Sequence, residues 1–324
     1  MDVNLRHLAD NIPNVILASF APSTLEKYRR SWDDWVRWAT AHHEVGNILP
    51  SDPYFVALYF THLLETRGTA SSVTSASTAI AWAHHISGYR SPTEEAFVRM
   101  TLKGCQRLLG KPIARSEAMT SPVIKRLVDE YGGPGLTLAD SRFLTITLLC
   151  FAGFLRIDEL LCAKLVTLTI TSSHLAILLP KSKNDQLRQG HIVYVSRLES
   201  KYCPVRHTEN FLTKSGLSLD SDDDAHLLPR LMATKKGVLA HKNLGISYST
   251  ARDVFNRYVR RVFGNELRYT LHGLRAGGAS EAVSNGIDGR RISKHGRWKT
   301  QRSRNGYICD SVESRLEVSR NLGL

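Results

Sequence analysis

Along the first ~110 residues, apolar positions recur with the period of an α-helix rather than the alternation of a strand. Tyr28, Trp32, Trp35 and Trp38 fall at steps of four, three and three, which stacks them on one face of a helix running to about His43. A stripe of that kind reads as core. Ser23 and Glu26 form an S-x-x-E pattern that predicts where this helix starts. A second helix is predicted from Asp52 to Thr66, stopped by Gly68, a third from Ala70 to Ser87, and a fourth from Glu94 to Leu109, closed by Gly110. The third opens on small hydroxyl residues, which suit either capping or a close approach to a phosphate backbone.

The pattern breaks at residues 110–122, GKPIARSEAMTSP, where prolines and charges replace apolar periodicity, as in an interdomain linker. Ser121 and Pro122 then predict an N-cap and first helical position. Phe143 to Phe154 is apolar all round, as expected of a helix at the centre of a domain. Leu165–Ile170, Leu175–Leu179 and His191–Val195 read as short strands, with KSKNDQLRQG as a turn between the last two. Helical spacing returns over Ser249–Phe263, Gly273–Asn285 and Gly289–His295. The expected organisation is a helical domain over 1–112, a linker over 113–122, a mainly α (α+β) domain over 123–310, and a helix or tail over 311–324.

Composition narrows the class. With 42% hydrophobic residues the chain of 324 can fill two cores. Forty-three Lys and Arg against 30 Asp and Glu leave a formal charge of +13, which favours a polyanionic partner through release of its condensed counterions. The 5 cysteines are scattered and form no CxxC, which predicts reduced thiols in an intracellular compartment. The start MDVNLRHLADNIPN lacks the basic-then-apolar pattern of a signal peptide, and the apolar stretches are too short for a bilayer, so no membrane association is expected.

Four local patterns carry candidate chemistry. GFLRIDELL places Arg156 and Glu159 at the end of the apolar helix, and PKSKNDQLRQG places Lys183 in a turn. LHGLRAGG sets His272 and Arg275 as H-x-x-R, and GRWKTQRSRNGY puts Trp298 nine residues before Tyr307, itself 32 residues after Arg275. Each pattern alone is weak; their order and spacing together resemble the tyrosine recombinase, or phage integrase, family. Tryptophan at position 298, where many relatives have histidine, makes the chain similar to the Cre branch. SKNDQLRQG followed by Cys203–Val205 also looks like recombinases of eukaryotic mobile elements; a eukaryotic host would place the protein in a nucleus, any other in the cytoplasm or nucleoid.

The resemblance implies an α-helical N-terminal DNA-binding domain and a catalytic domain closing as a C-shaped clamp on duplex DNA. Tyr307 would attack a phosphodiester, leaving a 3′-phosphotyrosine and a free 5′-hydroxyl, with no metal, ATP or other cofactor. The chemistry asks for the same residue types. Two guanidiniums, Arg156 and Arg275, suit the oxygens of a pentacoordinate phosphorus. His272 can either donate to that phosphate or accept the phenol proton. Trp298 can only donate. Lys183 suits protonation of the leaving oxygen, with Lys181 as its rival, and Glu159 would orient His272 or Arg156. His295 competes with Trp298 but stands too far from Tyr307 in sequence.

The partner implied is DNA with inverted-repeat half-sites, bound by a dimer and synapsed as a tetramer through a Holliday junction. The basic segment Ser249–Arg261 suits either a major groove, through Arg252 and Asn256, or phosphates alone. Lys27, Thr74 and Ser77 are further candidates for DNA contact. Val312 and Leu316 share a face of the tail, which would dock either on its own domain or on a neighbouring subunit. A type IB topoisomerase, a telomere resolvase or a domesticated, non-cleaving DNA-binding regulator are the alternatives.

Overall fold

Prolines and glycines set most of the helix boundaries in the first half of the chain. The computed structural model describes residues 3–112, 116–117, 119–180, 190–220, 224–235, 237–266, 268–310 and 312–323. Contacts divide the chain into two units, Met1–Ile113 and Ala114–Leu324. The first unit contains α1 (Val3–Ala18), α2 (Pro22–Thr40), α3 (Pro53–Arg67), α4 (Ala70–Ile86) and α5 (Ala96–Leu108). Asp52 caps α3 by accepting from the Tyr54 N–H at 2.7 Å, and Gly68 ends it in the left-handed region at φ 60°. Thr69 then caps α4, so hydroxyl groups at its start do serve as caps.

The aromatic stripe of α2 is core. Trp35 is wholly buried and packs edge-on to Tyr59 at 5.3 Å between ring centroids, with Val56, Phe60, Val73, Ile80 and Val98 around it. The most deeply buried polar side chain among them is His84: its Nε2 accepts from the Ser51 N–H at 2.8 Å, which leaves Nδ1–H to donate to Ile80 O at 2.7 Å. The expected S-x-x-E cap is not formed. Pro22 starts α2 earlier, behind Ala21, so Ser23 is already inside the helix and Glu26 pairs with Arg30. α1 was not expected at all, because Pro13 interrupts its pattern; its Leu5, Leu8, Ile12 and Val15 stay exposed.

The second unit opens with α6 (Ser121–Tyr131) and α7 (Leu138–Ala152). Ten consecutive residues of α7, Ser141 to Cys150, are buried, and a reciprocal Thr137–Asp140 capping box fixes its start. α8 (Ile157–Leu161) leads to an antiparallel sheet of β1 (Leu168–Ile170), β2 (His174–Leu179) and β3 (His191–Ser196), paired in that order. Residues 165–167, expected as strand, form a 3-10 turn instead. α9 (Pro204–Ser215) and a hairpin of β4 (Pro229–Thr234) and β5 (Gly237–Gly245) follow, neither of them expected. Then come α10 (Tyr248–Phe263), α11 (Leu271–Ser284), α12 (Gly289–Gly296), α13 (Gln301–Asn305) and α14 (Val312–Arg320).

Two boundary expectations need correction. The end of the presumed linker is packed into the second unit: Met119 is fully buried, and the Glu117 N–H donates to Arg268 O at 2.9 Å. The N-cap of α6 is Thr120 rather than Ser121, whose N–H is taken by Glu281 Oε1 at 2.6 Å. At the other end, Val312 and Leu316 of α14 are exposed, so the tail does not bury this face on its own domain. Among the described residues no helix is long and apolar enough to cross a membrane.

Candidate active site

The site begins where α7 runs out. Gly153 closes that helix, and Phe154 follows in the left-handed region at φ 45°, a conformation that costs a bulky residue about 1–3 kcal/mol. Its carbonyl is put to use: Phe154 O accepts from Arg275 Nη1, and from Arg297 Nη2 at 3.0 Å. Arg156 is the N-cap of α8. Its backbone N–H donates to Glu159 Oε2 at 2.9 Å, and its Nη1 donates to Glu159 Oε1 at 2.8 Å. Glu159 therefore orients Arg156; no bond to His272 is formed.

α11 carries the H-x-x-R pair on two different surfaces. Thr270 caps the helix, His272 in its first turn reaches solvent, and Arg275 points inward and is 1% exposed. The two glycines after Arg275 have a packing reason. A Cβ on Gly277 would stand 2.1 Å from Met119 O, and one on Gly278 would stand 2.2 Å from Phe151 O. They let α11 lie against α7 and the Met119 segment, which brings Arg275 to the Phe154 carbonyl.

The nucleophile candidate arrives through a chain of tight connections. α12 ends in a Schellman pattern: the Arg297 N–H bonds to Lys294 O at 3.2 Å and the Trp298 N–H to Ser293 O at 2.9 Å. The left-handed position is occupied by Arg297, at φ 59°, rather than the usual glycine. Gly296 precedes it because a Cβ there would lie 2.0 Å from the Trp298 ring. α13 is tied back by Arg304 Nη1, which donates to Gly289 O at 2.9 Å, and the Cys309 N–H donates to Ser280 Oγ of α11 at 2.8 Å. Tyr307 lies between these two fastenings.

Around Tyr307 the rings converge. Its centroid is 5.0 Å from that of His272 and 5.1 Å from that of Trp298, and the Arg275 guanidinium carbon is 5.0 Å from it. The same guanidinium lies 4.7 Å from the Trp298 ring, and its Nη2 donates to Gly296 O at 2.5 Å. Three buried donors of this cluster, Trp298 Nε1, Arg275 Nε and Arg297 Nε, find no acceptor among the described residues. An unmet buried N–H is costly, which is what a site prepared for an oxyanion would carry.

Electrostatics sort the roles further. Packing, and then the Arg275 and Arg156 charges, hold the His272 pKa below the ordinary imidazole value, so at neutral pH it is unprotonated and can accept a proton. Burial would raise the Glu159 carboxyl, but Arg297, the Arg156 N–H and the Arg156 and Arg275 charges outweigh it and hold it below the usual range. Arg275 is lowered by burial and by Arg156 and Arg297, yet stays charged at neutral pH.

The structure thus brings together Tyr307, Trp298, His272 and Arg275, and joins Arg275 and Arg156 through Glu159. Lys183 and its rival Lys181 lie outside the described residues. His295 is a support: its Nε2 donates to Ala152 O at 2.8 Å and its ring packs edge-on to Phe154. Arg252 and Asn256 sit away from the buried Ala251–Phe255–Tyr258 side of α10, with Arg252 held on Asp253 at 2.9 Å. In the first unit Lys27 is exposed, and Thr74 accepts from Gln106 Nε2 at 3.0 Å. Ser77 is buried on the packed side of α4, which removes it as a contact for DNA. Arg297 was missed: in a run of six other basic residues from Arg290 to Arg304 it reads as a solvated surface charge, and only the Arg-Trp step after the Gly296 stop hints otherwise.

No family model matches the chain. A curated relative, the integrase/recombinase xerD homolog of Selenomonas ruminantium, is 24% identical over 294 residues, covering 90% of this chain and 82% of its own length. Among solved structures, a lambda integrase dimer bound to a COC′ core site superposes with a TM-score of 0.58 at 14% identity, over 95% of this chain and 96% of that one. XerH recombinase in a post-cleavage complex with its difH substrate gives 0.56 at 13% identity, over 82% of this chain and 69% of that one. These structures share the fold of this chain. The similarity to the recombinase relative runs along nearly the whole length of the chain, and the fold is that of lambda integrase and XerH.

Proposed function

We propose that the protein cuts and rejoins duplex DNA at specific sites, with the Tyr307 hydroxyl attacking a phosphodiester to give a 3′-phosphotyrosine and a free 5′-hydroxyl. The observation that carries this reading is the convergence of His272, Trp298 and Arg275 on the Tyr307 ring. His272, neutral at physiological pH, takes the phenol proton, and Arg275 and Arg156 hold the non-bridging oxygens as they gain charge. Trp298 Nε1 supplies a further N–H to the same oxygens. The phosphodiester energy is kept in the protein–DNA bond, so religation by the 5′-hydroxyl needs no ATP, and guanidinium charge takes the part that a metal plays elsewhere. Lys183 is assigned to the leaving oxygen. Pairs of protomers on inverted half-sites would synapse as a tetramer and exchange strands through a Holliday junction. The exposed Val312–Leu316 face of α14 suits docking on a neighbouring subunit.

The test uses fragmented genomic DNA from the protein's own source. Protein is incubated with it, denatured in detergent and recovered, and the DNA that remains attached is quantified and sequenced. Wild type should retain DNA whose ends cluster at one sequence, and Tyr307→Phe should retain none. No retention by wild type would remove the cleavage reading, and equal retention by Tyr307→Phe would remove Tyr307 as the nucleophile.

A further inference from the structure

One buried carboxylate in the site faces three guanidiniums. Glu159 Oε1 accepts from Arg156 Nη1 at 2.8 Å, Oε2 accepts from Arg297 Nη2 at 2.6 Å, and Arg275 Nη1 stands 3.8 Å from Oε2. The tightest of the three is Arg297, which stands beside Trp298 in GRWKTQRSRNGY with no role assigned to it by the sequence. Its side chain is 6% exposed, its Nη2 also donates to Phe154 O at 3.0 Å and its Nη1 to His295 O at 3.1 Å. Its left-handed backbone is strained for a residue with a Cβ, and the bonds its side chain makes at the end of α12 offset that strain.

Charge counting gives this arrangement a purpose. Arg156, Arg275 and Arg297 carry three positive charges, Glu159 one negative charge, and His272 none at neutral pH, leaving an excess of two. A phosphodiester enters with one negative charge and reaches two in the pentacoordinate state. We propose that Arg297 is a positioning residue that acts as the resident counter-ion of Glu159. It absorbs the carboxylate's charge so that Arg156 and Arg275 remain uncompensated for the scissile phosphate. Without it, Glu159 draws on those two arginines, the excess falls to one, and the transition state loses more than the ground state does. This role rests on the cleavage reading given above.

The test is single-turnover cleavage of a nicked duplex built from the DNA sequence trapped by wild type, with protein concentration varied to separate the saturated rate from DNA affinity. Arg297→Met should lower the saturated rate at least about tenfold, with the apparent Kd changed by less than about threefold. Arg297→Lys keeps the charge and should retain most of the rate. The deciding variant is Arg297→Met combined with Glu159→Gln: with the carboxylate gone no counter-ion is needed, and the double variant should cleave at least about fivefold faster than Arg297→Met alone. A merely structural arginine predicts a lowered melting temperature but an unchanged saturated rate per folded molecule, and losses that add in the double variant. If Arg297→Met does not fold, Arg297→Lys and the double variant, in which the buried carboxylate is gone, still decide. A saturated rate for Arg297→Lys well below wild type, or a double variant at or below the product of the single losses, overturns the proposal. Absence of any wild-type adduct would instead overturn the cleavage reading and this role with it.

Discussion

The two units bury different things. The first, Met1–Ile113, encloses rings and aliphatic side chains around Trp35, with His84 and a few serines as the polar groups inside. The second, Ala114–Leu324, buries Arg142, Arg275 and Glu159 almost completely, and the side chain of Arg297 with them. Apolar burial is favourable at about 25 cal/mol per Å², whereas a buried ion gains only when its partners are in place. The core of the first unit is therefore held by apolar burial. The second spends part of its stability on burying cations, and the strained Phe154 and Arg297 backbones lie in that same cluster.

The sharpest way to break this contrast is to remove one central side chain from each unit. Arg275→Ala should lower cleavage at least about 10²-fold, as loss of an oxyanion donor does. It should also destabilise the second unit, because Gly296 O loses its donor and Phe154 O one of its two. Trp35→Ala should cost about 3–5 kcal/mol of stability, as large aromatic truncations in cores do, and leave the saturated cleavage rate of the remaining folded molecules unchanged. Chemical denaturation and single-turnover cleavage on the same preparations separate the two. Near-wild-type cleavage by Arg275→Ala would erase the distinction.

A smaller effect is expected at glycines. Gly278→Ala places a methyl group 2.2 Å from Phe151 O, where only backbone movement can make room, and should cost about 1–3 kcal/mol or more. Gly104→Ala lies in the middle of α5 in the first unit with nothing within 4 Å of the new Cβ, and should gain about 0.5–1 kcal/mol from helix propensity. Opposite signs of the shift in melting temperature would show that helix approach in the second unit is set by backbone contact. Equal signs would mean that the close approach of α11 and α7 is relaxed in solution.

What could be read beforehand follows the same division. Helices whose ends carry local signals were legible: Asp52 and Gly68 bracket α3 because capping depends on neighbours in sequence. The aromatic stripe was legible because its period is that of the helix. The meeting of Tyr307, His272, Trp298 and Arg275 was legible only as a set of spacings. α1 was hidden by Pro13. The β4–β5 hairpin was hidden because both faces are largely exposed, so Pro229 to Gly245 shows no alternation of apolar and polar residues. Arg297 was hinted at only by the Arg-Trp step after Gly296, since its burial follows from a left-handed backbone position and from Glu159, distant in sequence.

The mildest difference should appear with pH. In the second unit His207, His226, His272 and His295 all titrate below the ordinary value of 6.5, with burial the first cause in each, against His84 in the first unit. A histidine whose folded pKa is depressed stays neutral in the folded state while the unfolded chain takes up a proton. Its contribution is therefore complete above about pH 6.5 and declines as pH falls through that value towards the folded pKa. Acidification from about pH 7.5 to about 5.5 should thus weaken the second unit more than the first, in a range still above the titration of the carboxylates. Hydrogen exchange corrected for intrinsic rates would read this as a larger loss of protection in α7 and α11 than in α3 and α4. The same depressed histidine makes a kinetic prediction. If His272 takes the phenol proton, the saturated cleavage rate should be flat through neutrality and fall only below about pH 6.5, where the imidazole becomes charged. A cleavage limb centred above that value would assign the proton to another group. It would leave His272 as a hydrogen-bond donor to the phosphate.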